Sequence, residues 1–281
     1  GGRKMEWLMP VEVSKYTKSD LKIMDFIENY TDEFLFMSIG QLAKRLDMSE
    51  ATISRFARHI GYTDFKEMKN HVAARKVGKG PARKIAGTLM KIQGFDIRKW
   101  FTYQQECLER TQNQIDIGEM DKALTAIQKA RRIYIHAKNA SASAGQLLFF
   151  RLRRLGFDVT MVPSGGSEVI EGIAHAGEGD LVIIFSYSKV STEGRIILDY
   201  AQTAGYQTLA FTSRLYAPSD QRADINIYVY RGEKEEYHSM TTAVAMIDAM
   251  VLAISERMAS QSAERLGKVQ NLKKLYRKDR D

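Results

Sequence analysis

The chain has 281 residues, 44% of them hydrophobic and 27% charged, which is the composition of an ordinary folded protein and excludes disorder as the dominant state. One cysteine, Cys107, excludes an internal disulfide framework and a cysteine-rich zinc site. No run of about 18 apolar residues occurs and GGRKMEW lacks the apolar stretch of a secretory signal, so a soluble, cytoplasmic protein with no membrane contact is expected.

The formal net charge of +8 is unevenly placed. Residues 1–110 hold 20 Lys and Arg against 14 Asp and Glu, residues 111–262 hold 15 against 17, and 263–281 hold 7 against 3. A basic first third beside a near-neutral body points to a polyanionic partner for that third, or to a well-solvated surface.

Between about 19 and 70 the apolar residues recur at helical spacing. Ile23, Phe26, Ile27 and Tyr30 form one stripe, Ile39, Leu42, Ala43 and Leu46 a second, Ile53, Phe56, Ala57 and Ile60 a third. Thr17-x-x-Asp20 and Ser38-x-x-Gln41 read as capping boxes, Ser49 as the cap of the third helix, and Gly61 as its left-handed stop. A small helical bundle is predicted. The stretch 75–84, RKVGKGPARK, is the best linker, and 85–130 is helical again.

From 131 the pattern becomes strand and helix in alternation. Strands are predicted at Ile133–Ile135, Val159–Val162, Leu181–Phe185, Thr208–Phe211 and Ile225–Tyr230. Helices are predicted at Ser141–Leu155, about Glu193–Ala204 and about Glu236–Ala259. The continuously apolar 181–185 suits a strand covered on both faces, so this half is predicted to be an αβα sandwich around a parallel sheet. The whole is α plus α/β. Its expected divisions are a first domain over 1–76, linker and connecting helices over 77–120, a sandwich over 121–262 and a basic helical tail over 263–281.

Two short helices, 39–46 and 50–60, joined by Asp47-Met48-Ser49, match a helix-turn-helix, whose second helix enters the major groove of DNA. Lys44, Arg45, Ser49, Thr52, Ser54, Arg55, Arg58 and His59 are the candidate contacts. Arginines there can pair with phosphates or read guanine bidentately, and small hydroxyl residues allow close approach. Any helical hairpin with a solvated face would share the spacing alone.

The run 39–68 resembles the N-terminal domain of the RpiR family of bacterial transcriptional regulators. Leu42-Ala43, Met48-Ser49, Ala51-Thr52-Ile53, Arg55-Phe56, Gly61-Tyr62 and Phe65-Lys66 carry the resemblance. It implies a double-stranded DNA operator as partner. The order of elements over 121–262 is similar to the SIS, or sugar-isomerase, module that follows in that family. Its turn S-x-S-G-x-T-x-E is met by Ser186, Ser188 and Glu193, with Lys189 for the glycine and Ser191 for the threonine. Its first loop, G-x-G-x-S, keeps only Ser141, with Ala137 and Asn139 replacing both glycines.

The turn after 181–185 offers hydroxyls and a helix N-terminus, which suit a phosphate, although Ser191 or Thr192 can equally be a plain helix cap. Lys138, Asn139, Ser141, Ser186, Ser188, Lys189, Ser191, Thr192 and Glu236 are the candidate contacts of an anionic effector, which the resemblance makes a sugar phosphate. The added side chains either bring positive charge to the pocket or partly fill it. Glu236, near the family position of a ligand-contacting or catalytic glutamate, is alternatively a helix-terminal acid.

No nucleophile–base pair and no metal-ligand spacing occur, so no catalytic residue, cofactor or metal is expected. A sensor is predicted ahead of the alternative, a SIS-fold isomerase with an accessory helical domain. The resemblance implies a homodimer or homotetramer. Leu266, Val269, Leu272, Leu275 and Tyr276 give the tail an amphipathic spacing that either packs on a partner or on the first domain, or is solvated.

Overall fold

A computed structural model describes residues 16–76, 81–92, 95–234 and 236–278. The chain divides into two compact units. The first runs to Tyr103 and takes back Gly232–His238; the second holds Gln104–Arg231 and everything from Ser239.

The first unit is helical. Helices α1 (Lys18–Asn29), α2 (Thr31–Phe36), α3 (Ile39–Leu46), α4 (Glu50–His59), α5 (Phe65–Lys76) and α6 (Pro81–Lys91) close on one core. Ile23, Ile27, Phe34, Leu42, Ile53, Phe56, Ile60 and Met68 are fully covered there. Both capping boxes form: Thr17 Oγ1 accepts from the Asp20 amide and Ser38 Oγ from the Gln41 amide, and in return the Thr17 and Ser38 amides donate to the Asp20 carboxylate and the Gln41 side-chain oxygen. Two of the sequence expectations need correction. Tyr30 is half exposed, because it ends α1 and stacks on Phe26 instead of entering the core. The linker is shorter than 75–84: Pro81 opens α6, and Ala86 of that helix is buried with the rest. Residues 77–80 lie outside those described.

Helix α7 (Ile97–Gln112) carries the chain across the boundary at Tyr103, and α8 (Ile117–Lys129) leads into the sheet. Strands β1 (Ile133–His136), β2 (Val159–Val162), β3 (Leu181–Phe185), β4 (Gln207–Thr212) and β5 (Ile225–Tyr228) are all parallel, in the order β2-β1-β3-β4-β5. Between them run α9 (Ser141–Arg154), α10 (Glu168–Ile173), α11 (Thr192–Ala204) and a 3-10 turn at Ser219–Gln221. The chain ends with α12 (Thr241–Arg257) and α13 (Ala259–Lys278).

Alternate strand residues face opposite sides, and each side has its own core. Ile133, Ile135, Ile183, Leu209, Phe211 and Ile227 pack with α8, α9 and α12. Tyr134, Val182, Ile184 and Ala210 pack with α10 and α11. This is the αβα sandwich, and the continuous burial of Leu181–Ile184 follows from it. Because β2 and β3 lie on either side of β1, the winding reverses between β1 and β3, and the crevice outside their carboxyl ends is where open sheets of this kind take ligands.

The predicted helix start at Glu236 is also corrected: α12 begins at Thr241. The residues before it make tertiary bonds within the first unit, which outweigh their local preference for helix. Helix α13 is held at its start by Arg265, which donates to the Leu155 carbonyl at 2.9 Å and lies over Phe157. Leu272, Leu275 and Tyr276 further along it are exposed.

Candidate functional site

The turn of the helix-turn-helix is built by three residues. Asp47 takes the left-handed conformation (φ 53°) and ends α3, Met48 reaches back to the Ala43 carbonyl, and Ser49 caps α4 through the Thr52 amide at 3.1 Å. Ile53, Phe56 and Ala57 turn one face of α4 to the core, which leaves Ser54 half exposed and Arg55 and Arg58 exposed. Lys44 on α3 is exposed as well. None of Lys44, Arg55 and Arg58 has an ion-pair partner among the described residues.

The other four candidates are engaged. The Ser49 and Thr52 hydroxyls bond each other at 2.9 Å as part of the cap. Arg45 pairs with Glu33 at 3.1 Å. The Nδ1 atom of His59 is 3.0 Å from Asp20 Oδ2, and Asp20 is buried, so His59 ties the end of α4 to α1.

In the second unit, the loops after β1 and β3 meet at the crevice. Asn139 holds a left-handed backbone (φ 55°), a conformation asparagine tolerates better than most residues. Lys138 Nζ bonds Glu193 Oε1 at 2.9 Å, which joins the two loops. The Lys138 ammonium, with the Glu193 and Ser191 groups at the helix start, holds the Glu193 carboxyl down at about 2. A carboxyl depressed in the folded state contributes stability above its unfolded value, about 4.3, and loses it as pH falls towards the folded one. The thermal stability of the sheet unit is therefore expected to fall between about pH 4.5 and pH 2, and Glu193→Gln should remove part of that fall. An unchanged acid profile in the variant would show that the bridge contributes nothing.

Ser191 is spent on the cap of α11, where its Oγ accepts from the Gly194 amide at 3.1 Å. Thr192 and Ser141 are the first residues of α11 and α9. Ser188 and Lys189 are exposed.

A cleft of about 240 Å³ opens across β3, β4 and β5 beside this turn. Ser186 and Lys189 line it, with Thr212 at the end of β4, Arg214, Gln221 and Arg222 from beyond it, and Asp116 and Glu119 from the start of α8. The acids are already bonded: Asp116 caps α8, and Glu119 takes the Asn226 amide and Lys122. Lys189, Arg214 and Arg222 face no carboxylate within ion-pair distance among the described residues. Of the nine candidate effector contacts, the cleft thus gathers Ser186 and Lys189. It adds Arg214 and Arg222, which no local pattern marked, since only the strand order brings them to the turn. A larger groove of about 440 Å³ lies at the amino ends of β3 and β4, the edge that open parallel sheets do not use for ligands.

Glu236 stands apart from these residues. It belongs to the first unit, where its carboxylate accepts from the Tyr103 hydroxyl, from Lys91 at 2.8 Å and from the Glu233 amide at 2.8 Å. Burial alone would raise its carboxyl, but these three donors outweigh burial and hold it below the usual range. Its neighbour Glu235 lies outside the described residues. Among the described residues, no group of His, Cys, Asp and Glu is arranged to hold a metal ion, and no helix is long and apolar enough to cross a membrane.

Two family models match the chain in succession. The helix-turn-helix domain of the rpiR family covers residues 5–76, and the SIS domain covers 126–254. The chain joins an rpiR-family helix-turn-helix domain to a SIS domain. Among solved structures, it is similar to the sugar isomerase domain of an RpiR transcription factor from Sphaerobacter thermophilus. The two are 24% identical, with a TM-score of 0.57 over 61% of this chain and 96% of that one. It is also similar to the Vibrio vulnificus NanR protein complexed with ManNAc-6P, at 19% identity and a TM-score of 0.57 over 92% of this chain and 94% of that one. At such identities the likeness is one of fold. The second match spans both the helix-turn-helix and the SIS domain.

Proposed function

We propose that the protein is a DNA-binding transcriptional regulator whose SIS domain senses a phosphorylated sugar or a related anionic metabolite and thereby changes operator affinity. The observation that carries this reading is the pairing, in one chain, of two unbalanced basic surfaces. One is the face of α4 with Arg55 and Arg58, shaped for a DNA groove; the other is the cleft with Lys189, Arg214 and Arg222 beside the Ser186–Thr192 turn. The ManNAc-6P complex of the similar NanR protein supports a sugar phosphate as the ligand class.

Isomerisation of a sugar phosphate needs a general base at the substrate. Asp116 and Glu119 at the cleft are committed to amides and a lysine, and Glu236 is bonded within the helical unit, so sensing is the reading they favour. The functional division assigns DNA to 1–76, effector to 121–262 and the tail 263–281 to assembly as a homodimer or homotetramer. A helix-turn-helix dimer reads two half-sites, which the exposed Leu272, Leu275 and Tyr276 would help to hold in register. Acting on the operator, it works in the cytoplasm.

A thermal-shift screen of sugar phosphates tests this. A ligand that binds only the folded state raises Tm, by about 2.7 kcal/mol of stabilisation at a hundredfold excess over Kd. One sugar phosphate is expected to stand out, and Arg214→Ala and Lys189→Ala to lose the shift. Turnover of that compound would instead make the protein an isomerase. Silence across the panel would count against an anionic-sugar effector.

A further inference from the structure

Residues 232–238 leave the sheet unit after β5, join the helical unit and return to start α12. The chain therefore crosses between the units three times, at 103/104, 231/232 and 238/239. The excursion is tightly fastened. Glu236 is bonded to Lys91 and Tyr103, the Tyr237 amide donates to Thr88 Oγ1 at 2.7 Å, and His238 Nδ1 is 3.2 Å from Lys84 Nζ. Lys84, Thr88 and Lys91 lie on α6, which packs on α2 and α5, and α5 packs on the recognition helix α4. Gly232 opens the excursion at φ +113°, where a Cβ would stand 2.7 Å from the Tyr103 hydroxyl and 2.9 Å from Glu236 Oε2. Only glycine fits that close approach.

The residue just before it, Arg231, is buried at 8% exposure. Its Cζ lies 3.4 Å from the centroid of the Tyr187 ring, and its Nε has no hydrogen-bond partner. No carboxylate lies within ion-pair distance of it among the described residues, so the ring is its principal partner. Tyr187 sits in the Ser186–Thr192 turn, between two candidate effector contacts, and its carbonyl takes the Ser213 amide. The preceding residue, Tyr230, is fixed by Thr111 at its amide and by Thr242 at its carbonyl. A displacement of the turn can thus pass to Arg231 while the strand behind it stays in place.

We propose that 232–238 is a coupling strap, and that the Tyr187–Arg231 stack is the junction by which occupancy of the Ser186–Thr192 turn reaches the helical unit. This rests on the turn forming part of the effector site. The path is a contiguous set of packed and bonded groups, and every contact in it lies within one unit or along the chain.

Hydrogen exchange of the full-length protein, followed by mass spectrometry, tests the junction without any ligand. Tyr187→Leu removes the ring and is expected to speed exchange of the Glu233, Glu236 and Tyr237 amides and of the α6 amides at least about tenfold, whereas Tyr187→Phe keeps the ring and should stay within about twofold of wild type. Native far-UV circular dichroism of Tyr187→Leu with wild-type exchange in the strap would overturn the proposal. So would equal acceleration by Tyr187→Phe, since the ring would then not be what matters. Arg231→Met, which keeps the chain's bulk, is the second variant should Tyr187→Leu fail to fold, with the same expectation.

The effector arm uses inorganic phosphate as the probe. Protection of residues 186–192 with a change of at least about threefold in the strap supports coupling, and protection of the turn with an unmoved strap overturns it. If phosphate leaves the turn unprotected, the assignment of the effector site is what fails, and the ligand-free comparison of the two Tyr187 variants still decides the strap.

Discussion

Replacing Phe56 by Ala is expected to destabilise the helical unit by about 3–5 kcal/mol, the cost of removing a large buried side chain and leaving a cavity. Phe56 is 1% exposed and lies on the inner face of α4 with Ile53, Ala57 and Ile60, packed against α1 and α3. A unit of this size holds in all only about 5–15 kcal/mol, so the loss is a large part of its stability. An early unfolding transition, lower by about 10 °C or more, should separate from that of the sheet unit in a circular dichroism melt. DNA binding should fail at temperatures where the sheet unit still gives its ligand-induced shift. A single transition at the wild-type temperature would contradict the placement of Phe56 in the core.

The second large effect is expected from Arg55→Ala and Arg58→Ala. A base-reading arginine is worth about 1–3 kcal/mol of DNA affinity, and each lost phosphate contact lowers the slope of affinity against salt by about 1. Both variants should keep the fold, since both side chains are exposed on α4 and are not ion-paired within the described chain. Arg45→Ala makes the contrast: Arg45 already pairs with Glu33, so less of its charge is free for DNA, and its loss should be the smaller one. His59→Gln should act mainly on stability, because His59 ties α4 to the buried Asp20. Titrations of DNA at several salt concentrations separate these cases. Equal loss of effector affinity in Arg55→Ala would count against separate sites.

Much of the fold was legible because it is set locally. The stripes at 23–27, 42–46 and 53–60 repeat every three or four residues, and the caps at Thr17, Ser38 and Ser49 act within three residues of themselves. The strands after 131 were legible because a parallel strand buried on both faces has to be apolar throughout, as Leu181–Ile184 is. The helix-turn-helix followed from helix lengths and the three-residue turn. Even the left-handed Asn139 could be anticipated, since a short amide side chain tolerates that backbone.

The sites were less legible, because their groups are distant in the chain. His59 offered itself as a DNA contact, yet its partner Asp20 lies 39 residues away. Lys138 and Glu193, 55 residues apart, occupy each other at the loops where a ligand was expected. Glu236 looked like the first residue of a helix until Tyr103, 133 residues earlier, drew it into the helical unit. Arg214 and Arg222 carry no local signal and reach the cleft only through the strand order β3-β4-β5.

Sequence by itself thus determined the helical positions and their caps, the strands, the turn of the helix-turn-helix and the kinds of side chain available to each surface. These are contests among neighbours on the chain, decided by period, capping and backbone preference. Tertiary structure alone decided which charges remain free and which are spent on one another, and that 232–238 crosses into the helical unit. An ion pair or a strap depends on where distant segments come to rest, and no spacing along the chain records that distance.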